Sequence, residues 1–314
     1  MGLFLGIDTS NYTTSTALFD DESGVMLQQK KLLPVKDGQL GLRQSDAVFH
    51  HTQQLSKLIS ELVNGVDASK ISAVGVSTRP RPVEVSYMPC FTVGMSVAQS
   101  ISSILKVPMF EFSHQEGHIS SALFSACALD LFEKSFLAFH ISGGTTEVVL
   151  AKGRGCGFSL DMVGKSLDLH AGQAVDRVGL MLGLNFPCGA ELEKLALKCT
   201  DKLKVKPTVK GFDCCLSGVE NQCKKLIDVG KNKEYVALYC IKYIEEALSV
   251  MTSRLLENYG NMPVIFAGGV MSNSIIKNSL TKKYNAIFAK PEFSTDNAAG
   301  IAYLAYRKFK NVYT

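Results

Sequence analysis

None of the chain's nine cysteines falls in a CxxC pair, and their number is odd. That argues against a zinc ribbon and a disulfide frame, and for reduced thiols in a cytoplasmic protein. No apolar stretch approaches the roughly 18 residues of a membrane span. The opening "MGLFLGIDTS" stops being apolar at Asp8, so no signal peptide is expected. GxGxxG and GxxxxGK[ST] are both missing, which removes the usual dinucleotide fingerprint and the P-loop. Also missing is H-E-x-x-H, and with it the simplest reading as a zinc protease. Charge of one sign is not in excess. A net charge of +4 and a pI near 8.5 permit contact with nucleic acid without demanding it.

The 314 residues are 46% hydrophobic, enough for a sizeable core and for about two domains. β-rich apolar runs at 3–7, 15–19, 71–76, 136–141, 146–151 and 263–267 alternate with helical periodicity at 45–63, 91–106, 172–183, 190–199, 234–257 and 272–283. The pattern is α/β. "GIDTSNYTTSTALF" (6–19) and "AFHISGGTTEVVLA" (138–151) align as two copies of strand, polar turn and strand. This points to a duplicated α/β unit built on hairpins.

Polar or glycine turns follow three of these strands. The hairpin tips are rich in hydroxyls and glycine, and "VIFAGGVMSN" ends a buried strand in Gly268 and Gly269 just before a helix. Such turns let backbone N–H groups approach phosphate, and three of them favour a nucleotide site over plain structural turns.

"EFSHQEGHISSAL" (111–123) places His114 and His118 four apart. On a helix they lie about 400° apart in rotation, on one face. Two imidazoles so placed suit zinc or iron, the alternative being one capping and one surface histidine. Glu116 is about 200° from His114 and so faces away. A third ligand has to come from elsewhere, and Asp296 in "FSTDNAAG" (293–300) is the candidate.

Together "HQEGH", "ISGGTTE", "GKSLDLHAGQAVDRVGLMLGLNFPCGAELEKLA", "AGGVMSN" and "STDNAAGIAY" resemble, in order, the tRNA threonylcarbamoyl-adenosine transferase family (TsaD-like, formerly called O-sialoglycoprotein endopeptidases). The resemblance runs from Gly6 to Tyr306. It implies the actin/Hsp70/sugar-kinase (ASKHA) fold, with two duplicated RNase-H-like lobes around a nucleotide cleft. The lobes are expected at 1–109 with 294–314, and at 110–293. It further implies one iron or zinc ion on His114, His118 and Asp296. An adenine nucleotide (ATP, AMP or threonylcarbamoyl-adenylate) is expected at His140, Ile141, Ser142, Gly143, Gly144, Asp176, Gly189, Gly268, Gly269 and Asn273. The implied activity moves a threonylcarbamoyl group to a tRNA adenosine beside the anticodon, with protein partners from the same machinery.

Departures from the family pattern mark a divergent paralogue. Tyr12 and Thr13 stand where the family carries an acidic pair, and Thr145 replaces a histidine. Glu220 replaces a lysine, and "TRPRPVEVSYMPC" (78–90) replaces a glycine-proline loop. The alternatives are therefore a carbamoyl-type transferase with another acceptor, or a non-catalytic nucleotide-binding subunit. Lys202, Lys204, Lys206 and Lys210, with Arg79 and Arg81, are candidates for RNA phosphates.

Overall fold

The computed structural model describes residues 2–10, 12–34, 42–83 and 86–313. Asn11 of the first hairpin, and Glu84 and Val85 of the 78–90 segment, lie outside the described residues. The chain divides into two compact units. One comprises Met1–Lys134, Lys152–Ser159 and Glu292–Thr314; the other comprises Ser135–Ala151 and Leu160–Pro291. The break expected at 109/110 falls at the start of the fifth strand, inside the first unit.

The first unit is built on strands β1 (Leu3–Ser10), β2 (Thr13–Asp20), β3 (Met26–Leu32), β4 (Ile71–Arg79) and β5 (Met109–Ser113). Their order is β3-β2-β1-β4-β5. β1 and β2 pair antiparallel from Leu3↔Asp20 to Ser10↔Thr13, while β1–β4 and β4–β5 are parallel. Helices α1 (Gln44–Leu62) and α2 (Phe91–Leu105) pack on this sheet, and α3 (His114–Ser125) follows β5 directly.

Strands β6 (Ser135–Ile141), β7 (Thr146–Gly153) and β8 (Phe158–Lys165) come next, then helices α4 (Ala171–Met181) and α5 (Gly189–Ala196). A two-stranded ribbon, β9 (Thr208–Lys210) and β10 (Asp213–Cys215), precedes α6 (Ser217–Asp228) and the long α7 (Lys233–Tyr259). Strand β11 (Val264–Ala267), helix α8 (Ser274–Tyr284), strand β12 (Ile287–Phe288) and helix α9 (Ala299–Tyr313) complete the chain. The second sheet runs β12-β11-β6-β7-β8, the first sheet's order read from the other edge. The two hairpins aligned in sequence, β1–β2 and β6–β7, occupy corresponding positions, so the duplication is present in the fold.

Two features position the sites. Helix α9 lies on the first sheet and against α3 at backbone distance. A Cβ on Gly6 would sit 2.5 Å from the Ala302 nitrogen, and one on Gly300 would sit 1.8 Å from the Gly117 carbonyl oxygen. Only glycine permits such contact. In the second unit, Gly268 ends β11 with φ of +103°, and a Cβ there would lie 2.2 Å from the Ile141 carbonyl oxygen. Helix α7 supplies the centre of that unit's core with Ile241, Ile244, Ala247 and Met251.

Candidate metal centre and nucleotide pocket

Ser113 caps α3. Its hydroxyl accepts from the Glu116 backbone N–H, and the Glu116 carboxylate accepts from the Ser113 N–H at 2.8 Å. Glu116 is therefore occupied as half of a capping box and is not a base beside the histidines. The cap starts the helix at His114, so His118 stands one turn further on. Their rings are 4.3 Å apart between centroids.

Asp296 meets both. Its Oδ1 lies 3.2 Å from His118 Nε2 and 3.6 Å from His114 Nε2. The turn holding it is fixed by Asn297, which is buried. The Asn297 amide donates to the Phe293 and Thr295 carbonyls, while its oxygen accepts from the Ala299 N–H and the Ser121 hydroxyl of α3. The three ligand atoms lie within 4.8 Å of one another, so two imidazoles and one carboxylate converge as a divalent ion requires.

Asp8 completes the arrangement, and sequence reasoning missed it. It is fully buried at the end of β1, accepts from the Ser77 hydroxyl, and places Oδ2 2.9 Å from His114 Nδ1. A carboxylate on Nδ1 fixes the tautomer that leaves Nε2 free for metal. The available signal was an acidic residue closing an apolar strand, with no partner visible nearby in sequence.

Without an ion, burial alone would push the His114 imidazole down. Asp8 and then Asp296 outweigh it, and the pKa rises to about 10. For Asp296, burial raises the carboxyl, but hydrogen bonds from His114 and His118 prevail and hold it well below its usual range. The metal-free centre is thus a protonated imidazole between two carboxylates, and an ion must displace that proton.

The nucleotide candidates lie in the second unit. Gly143, Asp176, Gly189, Gly269 and Asn273 line one cavity of about 390 Å³, with Val175, Pro187, Ile241, Ile244 and Ile276 as its apolar wall. That volume and lining suit an aromatic base with a few polar contacts. In the β6–β7 turn, the Ser142 N–H donates to the Thr145 carbonyl at 2.7 Å, and the Thr145 N–H donates to the Ser142 hydroxyl. A Cβ on Gly143, Gly144 or Gly269 would meet no protein atom within 4 Å, so those turns keep open space beside them. Asp176 Oδ1 accepts from the Cys188 N–H at 2.9 Å. Asn273 caps α8 through the Ile275 and Ile276 N–H groups. Ile141 is fully buried, and His140 precedes it on β6.

The divergent residues have local partners. Thr13 Oγ1 donates to Asp296 Oδ2 at 3.4 Å, which puts a neutral hydroxyl at the metal centre. Glu220 pairs with Arg177 at 2.9 Å. Thr145 closes its turn. His51 is buried against Thr14, with burial pulling its pKa down, and His170 caps α4.

Solved structures share the fold at low identity. Component A of the (R)-2-hydroxyglutaryl-CoA dehydratase from Acidaminococcus fermentans matches with a TM-score of 0.59 and 16% identity, over 98% of this chain and 99% of that one. Full-length HypF in a phosphate- and nucleotide-bound form gives 0.62 and 12%, over 99% of this chain and 56% of that longer one. A ROK family glucokinase from Streptomyces griseus, in complex with glucose and AMPPNP, gives 0.54 and 13%, over 98% and 100%. The fold is that of the actin/Hsp70/sugar-kinase class. A family model described as tRNA N6-adenosine threonylcarbamoyltransferase (TsaD) matches residues 33–303, a span that includes both histidines and Asp296, and the chain belongs to that family.

Proposed function

We propose that the protein transfers a threonylcarbamoyl group from threonylcarbamoyl-adenylate to a tRNA adenosine beside the anticodon. The observation that carries the reading is the convergence of His114, His118 and Asp296 in a chain of this family. In the reaction, the adenosine N6 attacks the threonylcarbamoyl carbonyl carbon. The new C–N bond forms as the bond to the adenylate oxygen breaks, AMP leaves, and N6 gives up a proton. Iron or zinc on the trio would supply Lewis acidity toward an oxyanion. His114 and His118 present Nε2, Asp8 holds the His114 tautomer, and Asn297 holds Asp296 in reach.

In the second unit, the cavity walls receive the adenine, Asp176 the ribose, and the 142–144 and 268–269 turns the phosphates. Lys202, Lys204, Lys206 and Lys210 are all exposed and suit a tRNA backbone. Protein partners of the same machinery and a cytoplasmic site of action belong to this reading. Among the described residues no helix is long and apolar enough to cross a membrane.

A second reading is favoured by Thr13 and Glu220. The hydroxyl near Asp296 replaces an acid, and the Glu220–Arg177 pair puts an acid where the family offers a lysine. These support another acceptor, or a nucleotide-binding subunit without transfer of its own. Nucleoside mass spectrometry of tRNA incubated with the protein and threonylcarbamoyl-adenylate separates the two. Modified adenosine supports the first reading; its absence, in protein that binds both metal and nucleotide, supports the second.

A further inference from the structure

One face of strand β2 meets both carboxylate-bearing segments of the metal centre. Side chains two apart on a strand share a face, and so do residues directly opposite in the ladder. Thr13 and Ser15 therefore share one face of β2, and Lys30, opposite Ser15 on the edge strand β3, shares it too. The Ser15 hydroxyl donates to the Asp8 carbonyl at 3.3 Å. Thr13 and Lys30 both reach the turn that carries Asp296.

Lys30 spans that turn. Its ammonium donates to the Glu292 carbonyl at 3.0 Å and to the Thr295 hydroxyl at 2.8 Å. Thr295 immediately precedes Asp296. The charges of Asp296 and Glu292 both act on the ammonium. The edge strand thus ties the turn down from one side, as buried Asn297 does from within.

Thr13 acts on the carboxylate itself. Asp296 turns Oδ1 toward the rings, 3.2 Å from His118 Nε2 and 3.6 Å from His114 Nε2, and Oδ2 toward Thr13 Oγ1 at 3.4 Å. The last torsion of an aspartate is broad and nearly two-fold, so an unheld carboxylate offers either oxygen or both. A donor on one oxygen removes that freedom. Tyr12 and Thr13 stand where the family carries an acidic pair. An ionised acid has no proton to donate, so a hold on Oδ2 is a property of this chain.

We infer that Thr13 and Lys30 are positioning residues for Asp296. Lys30 fixes its turn through Thr295, and Thr13 occupies Oδ2, so that Asp296 offers an ion Oδ1 alone. The inference rests on the metal assignment above. It adds which oxygen coordinates and what keeps it in place.

The test uses the full chain loaded with cobalt(II), whose visible absorption weakens as its coordination number rises. Thr13→Val keeps the shape of the side chain and removes the donor. Oδ2 is then free to join the ion, and the absorption is expected to fall. Thr13→Ser returns the hydroxyl and should return the spectrum. Thr295→Val removes the side-chain acceptor of Lys30 and leaves the lysine's charge in place, which separates the bond from the field. Cobalt affinity, measured by competition against a chromophoric chelator, is expected to fall about tenfold in Thr295→Val, the lower end of the usual scale for losing an outer partner of a metal ligand. Thr295→Ser should restore it. Melting temperatures of the metal-free variants should stay near the wild-type value. A Thr13→Val spectrum identical to wild type, a Thr295→Val affinity within twofold of it, or losses that serine does not restore overturn the inference and leave the metal assignment standing. A wild type that binds no cobalt removes both together.

Discussion

Asp8→Asn is the sharpest perturbation of the metal centre, because it changes one atom and one charge in a fully buried residue. In the wild type, the Asp8 carboxylate accepts from Ser77 and from His114 Nδ1, the latter at 2.9 Å. Both bonds aim the imidazole so that Nε2 faces Asp296 and His118. An amide has a single acceptor oxygen. If Ser77 keeps it, the amide N–H faces Nδ1 and favours the tautomer with its proton on Nε2, the nitrogen the metal needs. Loss of such a supporting carboxylate typically costs 10–100-fold in metal affinity, about 1.4–2.7 kcal/mol. Competition against a chromophoric chelator measures it. The pH dependence gives a second readout. In the metal-free protein the His114 pKa is raised to about 10, so between its ordinary 6.5 and that value binding must displace one proton. Apparent affinity should climb about tenfold per pH unit through this window and level off above it. Stability of the metal-free protein moves the other way. A raised histidine pKa contributes stability that is complete below 6.5 and is lost as pH rises toward 10. In Asp8→Asn the plateau should begin at lower pH, since the first carboxylate that raises His114 is gone. Metal affinity within twofold of wild type, with the plateau unmoved, would refute the role given to Asp8.

Gly300→Val should lower the melting temperature and strip the metal, because its Cβ would stand 1.8 Å from the Gly117 carbonyl oxygen; overpacking of this kind costs about 1–3 kcal/mol or more, and wild-type melting with full metal content would contradict it. Gly144→Val should leave the melting temperature alone, since its side chain meets open space, yet abolish ATP or AMP binding by calorimetry; undiminished binding would remove the turn from the site. Glu245 is buried, and although burial raises its carboxyl, Lys242, Ser279 and Lys283 prevail and hold it below 4.5. Its contribution is present above pH 4.5 and lost as pH falls through the lowered value; because Lys242 and Lys283 are themselves partly in solvent, Glu245→Ala should cost about 1–2 kcal/mol at neutral pH and flatten the acid limb of a stability–pH curve.

The parts of the fold with strong periodicity were legible. The six apolar runs became β1, β2, β4, β6, β7 and β11, and the six helical stretches became α1, α2, α4, α5, α7 and α8. Strands β3 and β8 were missed because their residues do not need a fully buried face, and β5, β9, β10 and β12 because they are at most five residues long. β3, "MLQQKKL", is an edge strand with few buried residues, and β8 alternates too weakly against Asp161 and Lys165. Helix α6 was hidden because few of its residues are buried. At the metal centre, helical spacing supplied both histidines and correctly turned Glu116 away. Asp8, Asn297 and Ser77 were invisible, because each acts across more than 60 residues of chain. The pattern of strand, turn and helix marked the nucleotide turns and resemblance added Asp176 and Gly189, while the open space beside Gly143 and Gly144 is a fact only of three dimensions.

The backbone contact between Gly117 and Gly300 also orders events during synthesis. All five strands of the first sheet have been made once residue 113 has left the ribosome, but α9 is still some 180 residues away. Until it arrives, the glycine-lined face of β1 and β4 has nothing to cover it, and His114 and His118 wait without Asp296. Any ion held by the trio would therefore be captured late, only when α9 docks. An ion on the trio would mark a chain whose first unit has closed, and a ribosome-stalled chain ending before residue 292 should neither retain metal nor hide that sheet face from a protease.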